Sequence, residues 1–181
     1  MNKKRKWIRA WVIYPIGIVV VIICIYIIFY CCFQTATTVL LVRHAEKASE
    51  PGGDPPLSTE GIIRAQTLVH VVGKADVTVI FATQYIRAQQ TVQPTADHFG
   101  LIPNQYNAMD VEGLIDLILA NHTGEIVLVV GHSNTVPQII EELGGGPVSP
   151  IAESEYDNLF VITVFRWGGP KVMHLKYGEP S

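Results

Sequence analysis

The stretch "TTVLLVRHAEK" (residues 37–47) places an arginine and a histidine directly after an uninterrupted aliphatic run. The run is short and rich in β-branched residues, which predicts a strand over 37–42 that is buried on both faces, as in a parallel sheet. Ligands of open α/β sheets bind beyond the carboxyl ends of such strands. Arg43 and His44 therefore occupy a position where a site can form. The alternative interpretation of His44 is a polar residue that simply ends a strand.

Apolar runs of strand length alternate with longer segments of helical spacing along the rest of the chain. Further strands are predicted over 76–83, near 101–106, over 125–130, and in a C-terminal hairpin that turns through "WGGP" (167–170). Helices are predicted over 57–73, 84–100, 110–124 and 135–146, the first of them with Ser58 as its N-cap and Gly73 as its stop. This alternation favours an α/β fold in which helices connect the strands of one sheet.

Two more strand ends carry the same kinds of side chain. Arg87 lies just past the second predicted strand, and His132 directly follows the strand over 125–130. Three separated segments thus bring two arginines and two histidines to one edge of the sheet. The planar fork of an arginine matches phosphoryl oxygens, and a neutral histidine nitrogen can attack phosphorus to give a covalent phosphohistidine. The residue types therefore indicate a site for a phosphomonoester.

The same three segments carry a resemblance to a known family. "LVRHAEK" (41–47), "YIRAQQT" (85–91) and "VVGHSNT" (129–135) resemble, in this order and spacing, the signature segments of the histidine phosphatase superfamily. "DPPLSTEG" (54–61) and "EYDNLFVITV" (155–164) are also similar to segments of its small bacterial members. The resemblance implies the phosphoglycerate-mutase-like fold, a three-layer α/β/α sandwich with a mostly parallel sheet.

The resemblance also implies roles for the four residues and the type of reaction. His44 would accept the phosphoryl group, and His132, the second catalytic residue, would complete a phosphate pocket with Arg43 and Arg87. The hydrolysis would need neither a metal ion nor an organic cofactor, and the substrate would be a small phosphorylated compound. The alternatives are a catalytically silent member that binds a phosphorylated ligand or a protein, and a protein phosphohistidine phosphatase.

The general acid that would protonate a leaving alkoxide is less well defined by the sequence. Asp110 and Glu112 are the candidates, because the family usually takes this acid from a carboxylate beyond the middle strands. A phosphohistidine substrate needs no dedicated acid, since a protonated imidazole leaves readily, so a missing acid would narrow the substrate class. The sequence leaves the oligomeric state open.

Charges and cysteines divide sharply along the chain. Five of the 13 basic residues lie in the first nine positions and all 16 acidic residues lie at Glu46 or later, so the remainder has 8 basic against 16 acidic residues, a formal charge of −8. Such a surface repels polyanions, and nucleic acid is not an expected partner. Cys24, Cys31 and Cys32 all lie in the N-terminal apolar segment, which excludes a disulfide framework and a thiolate metal site downstream.

Residues 11–33 form an uncharged apolar segment of 23 residues that follows a basic flank over 1–10. A helix over this segment would be roughly 35 Å long, enough for a hydrocarbon core of about 30 Å, so a transmembrane anchor is predicted. The positive-inside bias places the N-terminus in the cytoplasm and a phosphatase domain over 34–181 outside it. The sequence thus predicts a single-pass membrane protein, with a cleaved secretory signal peptide as the alternative.

Overall fold

The structure, a computed structural model, describes residues 16–30, 36–49 and 53–181. The chain divides into two compact units, Met1–Thr35 and Ala36–Ser181, and each is described separately. The sheet and all of the predicted site residues lie in the second unit.

In the first unit, the described residues 16–30 are all helical, and this helix is α1. None of the helices within the described ranges combines the length and the apolarity that crossing a membrane requires. The predicted single-pass location with an extracytoplasmic domain is therefore wrong, and the transmembrane anchor predicted over 11–33 is not supported. Residues 11–15 and 31–33 of that segment lie outside the described residues. The basic flank predicted over 1–10 lies outside the described residues.

The second unit alternates strands and helices in the predicted order. Its elements are β1 (Ala36–Arg43), α2 (Thr59–Val72), β2 (Val79–Thr83), α3 (Ile86–Phe99), β3 (Asn104–Tyr106), α4 (Val111–Asn121), β4 (Ile126–Gly131), α5 (Thr135–Glu142), β5 (Asn158–Phe165) and β6 (Lys171–Lys176). Ser58 is the N-cap of α2, where its Oγ accepts a hydrogen bond from the Gly61 amide (3.2 Å). Gly100 ends α3 at a φ of 67°, a left-handed conformation that favours glycine.

In the described part of the chain, six strands form one mixed sheet in the order β3-β2-β4-β1-β5-β6. The first four strands of this order run parallel, and β5 and β6 pair antiparallel at the other end. β1 and β4 are direct neighbours, and their register places Arg43 opposite Gly131. The His44 amide extends the ladder by donating to the Gly131 carbonyl (2.9 Å). The residues that follow the two central strands therefore lie side by side.

Helices cover both faces of the sheet. Val39 and Leu41 of β1 pack with α4 and α5 on one face, whereas Leu40 and Val42 pack with α2 and α3 on the other. β1 is apolar over residues 39–42, where both of its faces are buried, and each of these side chains contributes about 1.5–3 kcal/mol relative to an exposed position. This packing confirms the predicted three-layer α/β/α sandwich.

An ion pair holds the loop that follows His44. Arg64 of α2 is 5% exposed and donates from Nε and Nη2 to the Glu46 carboxylate at 2.7–3.0 Å. Its Nη1 donates to the Tyr177 carbonyl (2.9 Å) near the end of the chain. Gly61, in the first turn of α2, lies so close to the backbone carbonyl of Glu46 that a Cβ atom would collide with it. The start of α2 can approach this loop because residue 61 has no side chain.

We predict that Gly61→Ala destabilises the protein by about 1–3 kcal/mol, because the added methyl group must push α2 away from the Glu46 carbonyl. At an exposed helix position the same substitution would stabilise by up to about 1 kcal/mol, so the sign distinguishes the two cases. Urea unfolding of the full chain is the measurement, with Gln66→Ala on the exposed face of α2 as the control. A more stable Gly61→Ala variant would contradict the close approach.

Candidate active site

The four site residues predicted from the sequence all line one pocket, where β1, β4 and the segment after β2 converge. The pocket has a volume of about 240 Å³. Its lining residues are Arg43, His44, Lys47, Tyr85, Arg87, Ala108, Met109, His132, Ser133, Asn134, Thr135 and Glu153. The structure therefore brings together Arg43, His44, Arg87 and His132, as the strand-end positions predicted.

Arg43 ends β1, and only 1% of the residue is exposed. Its Nη1 donates to three backbone carbonyls of the segment before β5, those of Ala152 (2.8 Å), Glu153 (3.0 Å) and Glu155 (3.0 Å). Its Nη2 donates to the Glu153 carboxylate (3.0 Å), and the ring of Tyr156 lies 4.2 Å from Cζ. These contacts offset the cost of burying a cation. Arg43 thereby fastens this segment to the edge of the sheet.

His44 is 3% exposed, and a hydrogen bond from Nδ1 to the Ala45 carbonyl (2.8 Å) fixes its ring. A carbonyl oxygen can only accept, so Nδ1 carries the proton and Nε2 of the neutral ring keeps its lone pair. The Ala45 amide donates to Thr91 Oγ1 (3.0 Å), which ties this loop to α3. Nε2 is therefore the nitrogen of His44 that can attack an electrophile.

His132 directly follows β4, and its amide donates to Oγ1 of Thr135 at the start of α5 (2.8 Å). Its Nε2 lies 2.9 Å from Oγ1 of Thr83, the last residue of β2. The ring meets His44 and Tyr85 edge-on, with centroid distances of 5.1 Å in both cases. Because Thr83 engages Nε2, Nδ1 is the nitrogen of His132 that is left for a ligand.

Arg87 lies in the first turn of α3, next to a carboxylate from another loop. Asp54 accepts from the Ile86 amide (3.0 Å) and from Arg87 Nη1 (3.3 Å). The Tyr85 ring lies 4.5 Å from the Arg87 Cζ, so an aromatic ring faces each of the two pocket arginines. The loop between β1 and α2 thus helps to position Arg87, and Asp54 is the first residue of the segment 54–61 that carries part of the resemblance.

The Nε atoms of Arg43 and Arg87 are both buried and have no hydrogen-bond partner among the described residues. Buried N–H groups are rarely left unpaired, so both can donate to an acceptor that enters the pocket. An oxyanion offers acceptor oxygens and the opposite charge. Within the described ranges, no group of three or more His, Cys, Asp or Glu is placed to hold a metal ion. The predicted independence from metals and organic cofactors stays a prediction.

Burial sets the protonation state of the two histidines. It lowers the pKa of His44 to about 3, although the hydrogen bond to Ala45 acts in the opposite direction. It also lowers the pKa of His132 to about 4, and the positive charges of Arg87 and Arg43 add to this effect. Both rings are therefore neutral at pH 7, and His44 Nε2 is an unprotonated base facing two cations.

The two carboxylates predicted as candidates for the general acid do not line the pocket. Asp110 is the N-cap of α4, where its Oδ1 accepts from the Gly113 amide (3.0 Å), and Glu112 is exposed in the first turn. Of the described residues that line the pocket, Glu153 is the one that carries a carboxylate. It accepts from Ser133 Oγ (2.7 Å) as well as from Arg43.

Sequence reasoning did not identify five residues that shape the pocket. They are Thr83, Tyr85, Thr91, Glu153 and Tyr156. Tyr85 and Thr91 lie within the segment 85–91 that carries part of the resemblance, which is a usable signal. Glu153 lies 110 positions from Arg43 in the sequence, and no local pattern connects the two.

Residues 39–110 match the sequence profile of a family described as "Histidine phosphatase superfamily (branch 1)". The matched range contains Arg43, His44 and Arg87 but not His132. No curated protein sequence matches the chain significantly. The profile match confirms the predicted resemblance to the histidine phosphatase superfamily over residues 39–110, which contain two of its three signature segments.

Solved structures agree in fold. A complex of the protein histidine phosphatase SixA with tungstate has a TM-score of 0.62 and 18% identity, covering 77% of this chain and 96% of SixA. A mycobacterial glucosyl-3-phosphoglycerate phosphatase has a TM-score of 0.63 and 12% identity, with coverages of 79% and 100%. A putative phosphohistidine phosphatase SixA from Agrobacterium tumefaciens has a TM-score of 0.57 and 21% identity, with coverages of 79% and 98%. At these identities the likeness establishes the fold alone.

The lowered pKa of His44 makes the folded protein less stable in acid. The unfolded state binds this proton near pH 6.5 and the folded state near pH 3, so stability present above pH 6.5 is lost as the pH falls toward 3. We predict that lowering the pH from 7 to 5 reduces the free energy of unfolding of both proteins. The reduction should be about 2 kcal/mol smaller in His44→Asn than in the wild type. Urea unfolding at the two pH values measures this difference.

Gln66→Ala serves as the control for this comparison, because it introduces no titrating group and lies on the exposed face of α2. It should lose as much stability between the two pH values as the wild type. The same pH dependence in His44→Asn and in the wild type would show that the folded state does not hold His44 neutral.

Proposed function

We propose that this protein is a phosphomonoester hydrolase that acts through a phosphohistidine on His44 and uses a small phosphorylated substrate. The observation that carries the proposal is the pocket itself. An unprotonated His44 Nε2 faces the same small cavity as the two arginines whose buried Nε groups lack partners among the described residues. The first group is a nucleophile for phosphorus, and the others are donors for its oxygens.

The residues divide the reaction into two steps. In the first, His44 Nε2 attacks phosphorus, the bond to the leaving oxygen breaks, and its electron pair departs with that oxygen. Arg43, Arg87 and His132 Nδ1 donate to the phosphoryl oxygens and stabilise the charge that becomes exposed as this bond loosens. In the second step, water attacks phosphorus, the bond to Nε2 breaks, and His44 is returned as a neutral ring.

The fixed tautomer of His44 supports the first step. Because the Ala45 carbonyl holds the Nδ1 proton, the positive charge that develops on the phosphorylated ring is stabilised by an acceptor already in place. The histidine phosphatase profile and the phosphatases among the fold neighbours favour the same chemistry. A catalytically silent member that only binds a phosphorylated ligand is the rival, and it has no use for an unprotonated nitrogen at the pocket.

The full-length protein should release phosphate from p-nitrophenyl phosphate, and His44→Ala should lower this rate by more than about 1,000-fold while the circular dichroism spectrum is unchanged. His70→Ala is the matched control, since His70 is exposed on α2 and does not line the pocket. It should keep wild-type activity. Full activity in His44→Ala would refute the mechanism, and an inactive wild-type protein that still binds phosphate would favour the silent member.

A protein phosphohistidine phosphatase is the second candidate, and the position of Asp110 favours it. Asp110 is engaged as a helix cap, and the carboxylate that lines the pocket, Glu153, has its pKa lowered first by the Ser133 hydroxyl and then by Arg43. An ionised carboxylate cannot protonate a leaving alkoxide. A phosphorylated imidazole leaves without a dedicated acid once it is protonated, so the pocket also suits an N–P bond.

For this candidate, kcat/KM on a phosphohistidine peptide should exceed that on a phosphoserine peptide of the same sequence by about 100-fold or more, the typical contribution of a general acid. Phosphate release from both peptides is measured under identical conditions. A non-enzymatic rate is subtracted for each, because the N–P bond hydrolyses on its own. Equal values for the two peptides would favour a phosphatase of small phosphate esters instead.

A further inference from the structure

Glu153 places a carboxylate beside the groups that would hold a phosphoryl group. Its Oε2 lies 3.0 Å from Arg43 Nη2, and its Oε1 accepts from Ser133 Oγ at 2.7 Å. Ser133 directly follows His132, so the two partners of Glu153 come from the ends of β1 and β4. The carboxylate therefore bridges the two central strands of the sheet at the pocket.

The backbone of Glu153 is held in place independently of its side chain. Arg43 Nη1 binds the carbonyls of Ala152, Glu153 and Glu155, and the Glu155 amide donates to the Ala152 carbonyl (3.0 Å) to close a turn. The Glu155 carboxylate accepts from the Ala152 amide (2.9 Å). A change at the Glu153 carboxylate thus leaves most of the contacts that shape this turn intact.

The Glu153 side chain combines negative charge with access to solvent. Its side chain is 74% exposed, whereas His44 is only 3% exposed, so water reaches the pocket on the side of Glu153. The Ser133 hydroxyl, and after it the charge of Arg43, lower the pKa of Glu153 and keep the carboxylate ionised at neutral pH. Each carboxylate oxygen uses one contact and keeps a lone pair for a further donor.

The other candidate proton acceptors near the pocket are engaged. His132 uses Nε2 for Thr83, and its remaining nitrogen faces the phosphoryl group in the proposed reaction. Asp54 is bound by the Ile86 amide and by Arg87, and it does not line the pocket. Asp110 is a helix cap. The Glu153 carboxylate is left as the acceptor that can reach incoming water.

We infer that Glu153 is the general base of the second step, the residue that takes a proton from the water that hydrolyses the phosphohistidine. The inference rests on the proposed function of the same site. It assigns a catalytic role to a residue between α5 and β5 that lies in none of the segments carrying the resemblance.

The water oxygen forms a bond to phosphorus, the bond between phosphorus and His44 Nε2 breaks, and the electron pair stays on Nε2. One water proton passes to the Glu153 carboxylate, and inorganic phosphate leaves. Glu153 then returns this proton to solvent, to which it is exposed, and the carboxylate is ready for another cycle.

Glu153→Gln tests the role, because it keeps the shape of the side chain and removes the basic oxygen. Rapid mixing of the full-length variant with p-nitrophenyl phosphate should give a burst of about one nitrophenol per active site. A steady state roughly 100-fold slower than in the wild type should follow. Phosphohistidine on residue 44, measured by mass spectrometry after rapid quenching, should accumulate. Glu142→Gln, on an exposed position of α5, is the matched control and should behave as the wild type.

Chemical rescue separates catalysis from structure. Glu153→Ala leaves space at a solvent-exposed position, so added formate should restore the dephosphorylation rate several-fold without changing the burst. Formate should not speed up the wild type or Glu142→Gln. A role that is only structural would not respond to formate.

Three results would overturn the inference. The first is an equal loss of both steps in Glu153→Gln, and the second is unchanged kinetics in that variant. The third is tighter phosphate binding by Glu153→Gln with unimpaired turnover. That result would mean that the Glu153 carboxylate competes with the phosphoryl group for Arg43. If the wild-type protein releases no nitrophenol, the proposed function itself fails, whereas an active wild type with no phosphohistidine accumulating in Glu153→Gln removes only the role of Glu153.

Discussion

The parallel pairing of β1 with β4 is the constraint on which the rest of the site depends. Its register sets Arg43 opposite Gly131, so the residues after the two strands, His44 and His132, become neighbours. A slip of one residue would turn the apolar side chains of β1 toward the wrong helices, because successive residues of a strand face opposite layers. Burial on both faces therefore fixes the register, and the register in turn places the two histidines.

The chemistry of the pocket depends on the burial of its arginine and histidine side chains. Arg43 is buried at the edge of the core, where backbone carbonyls, a carboxylate and an aromatic ring offset the cost of burying its charge. The same burial, together with the two arginines, keeps His44 and His132 neutral. Cationic donors and an unprotonated nucleophile thus coexist at neutral pH, a combination that an exposed site could maintain less well.

Two predictions drawn from local sequence, one on Asp110 and one on the membrane location, differ from what the structure shows. Asp110 was a candidate acid because of its place after the middle strands, yet an aspartate just before a helix is also a favoured N-cap, and it binds the Gly113 amide. The apolar segment over 11–33 predicted a single-pass membrane location, but within the described ranges no helix combines the length and the apolarity that crossing a membrane requires.

The sequence by itself determined the order of the strands and helices and the four polar side chains at strand ends, Arg43, His44, Arg87 and His132. These features are local: apolar periodicity, β-branched runs and caps depend on neighbours a few residues apart. Only the tertiary structure decided that Glu153 completes the pocket and that Thr83 and Ala45 orient the histidine rings. Arg43 and Glu153 are 110 positions apart, and folding of the sheet alone brings them within hydrogen-bond distance.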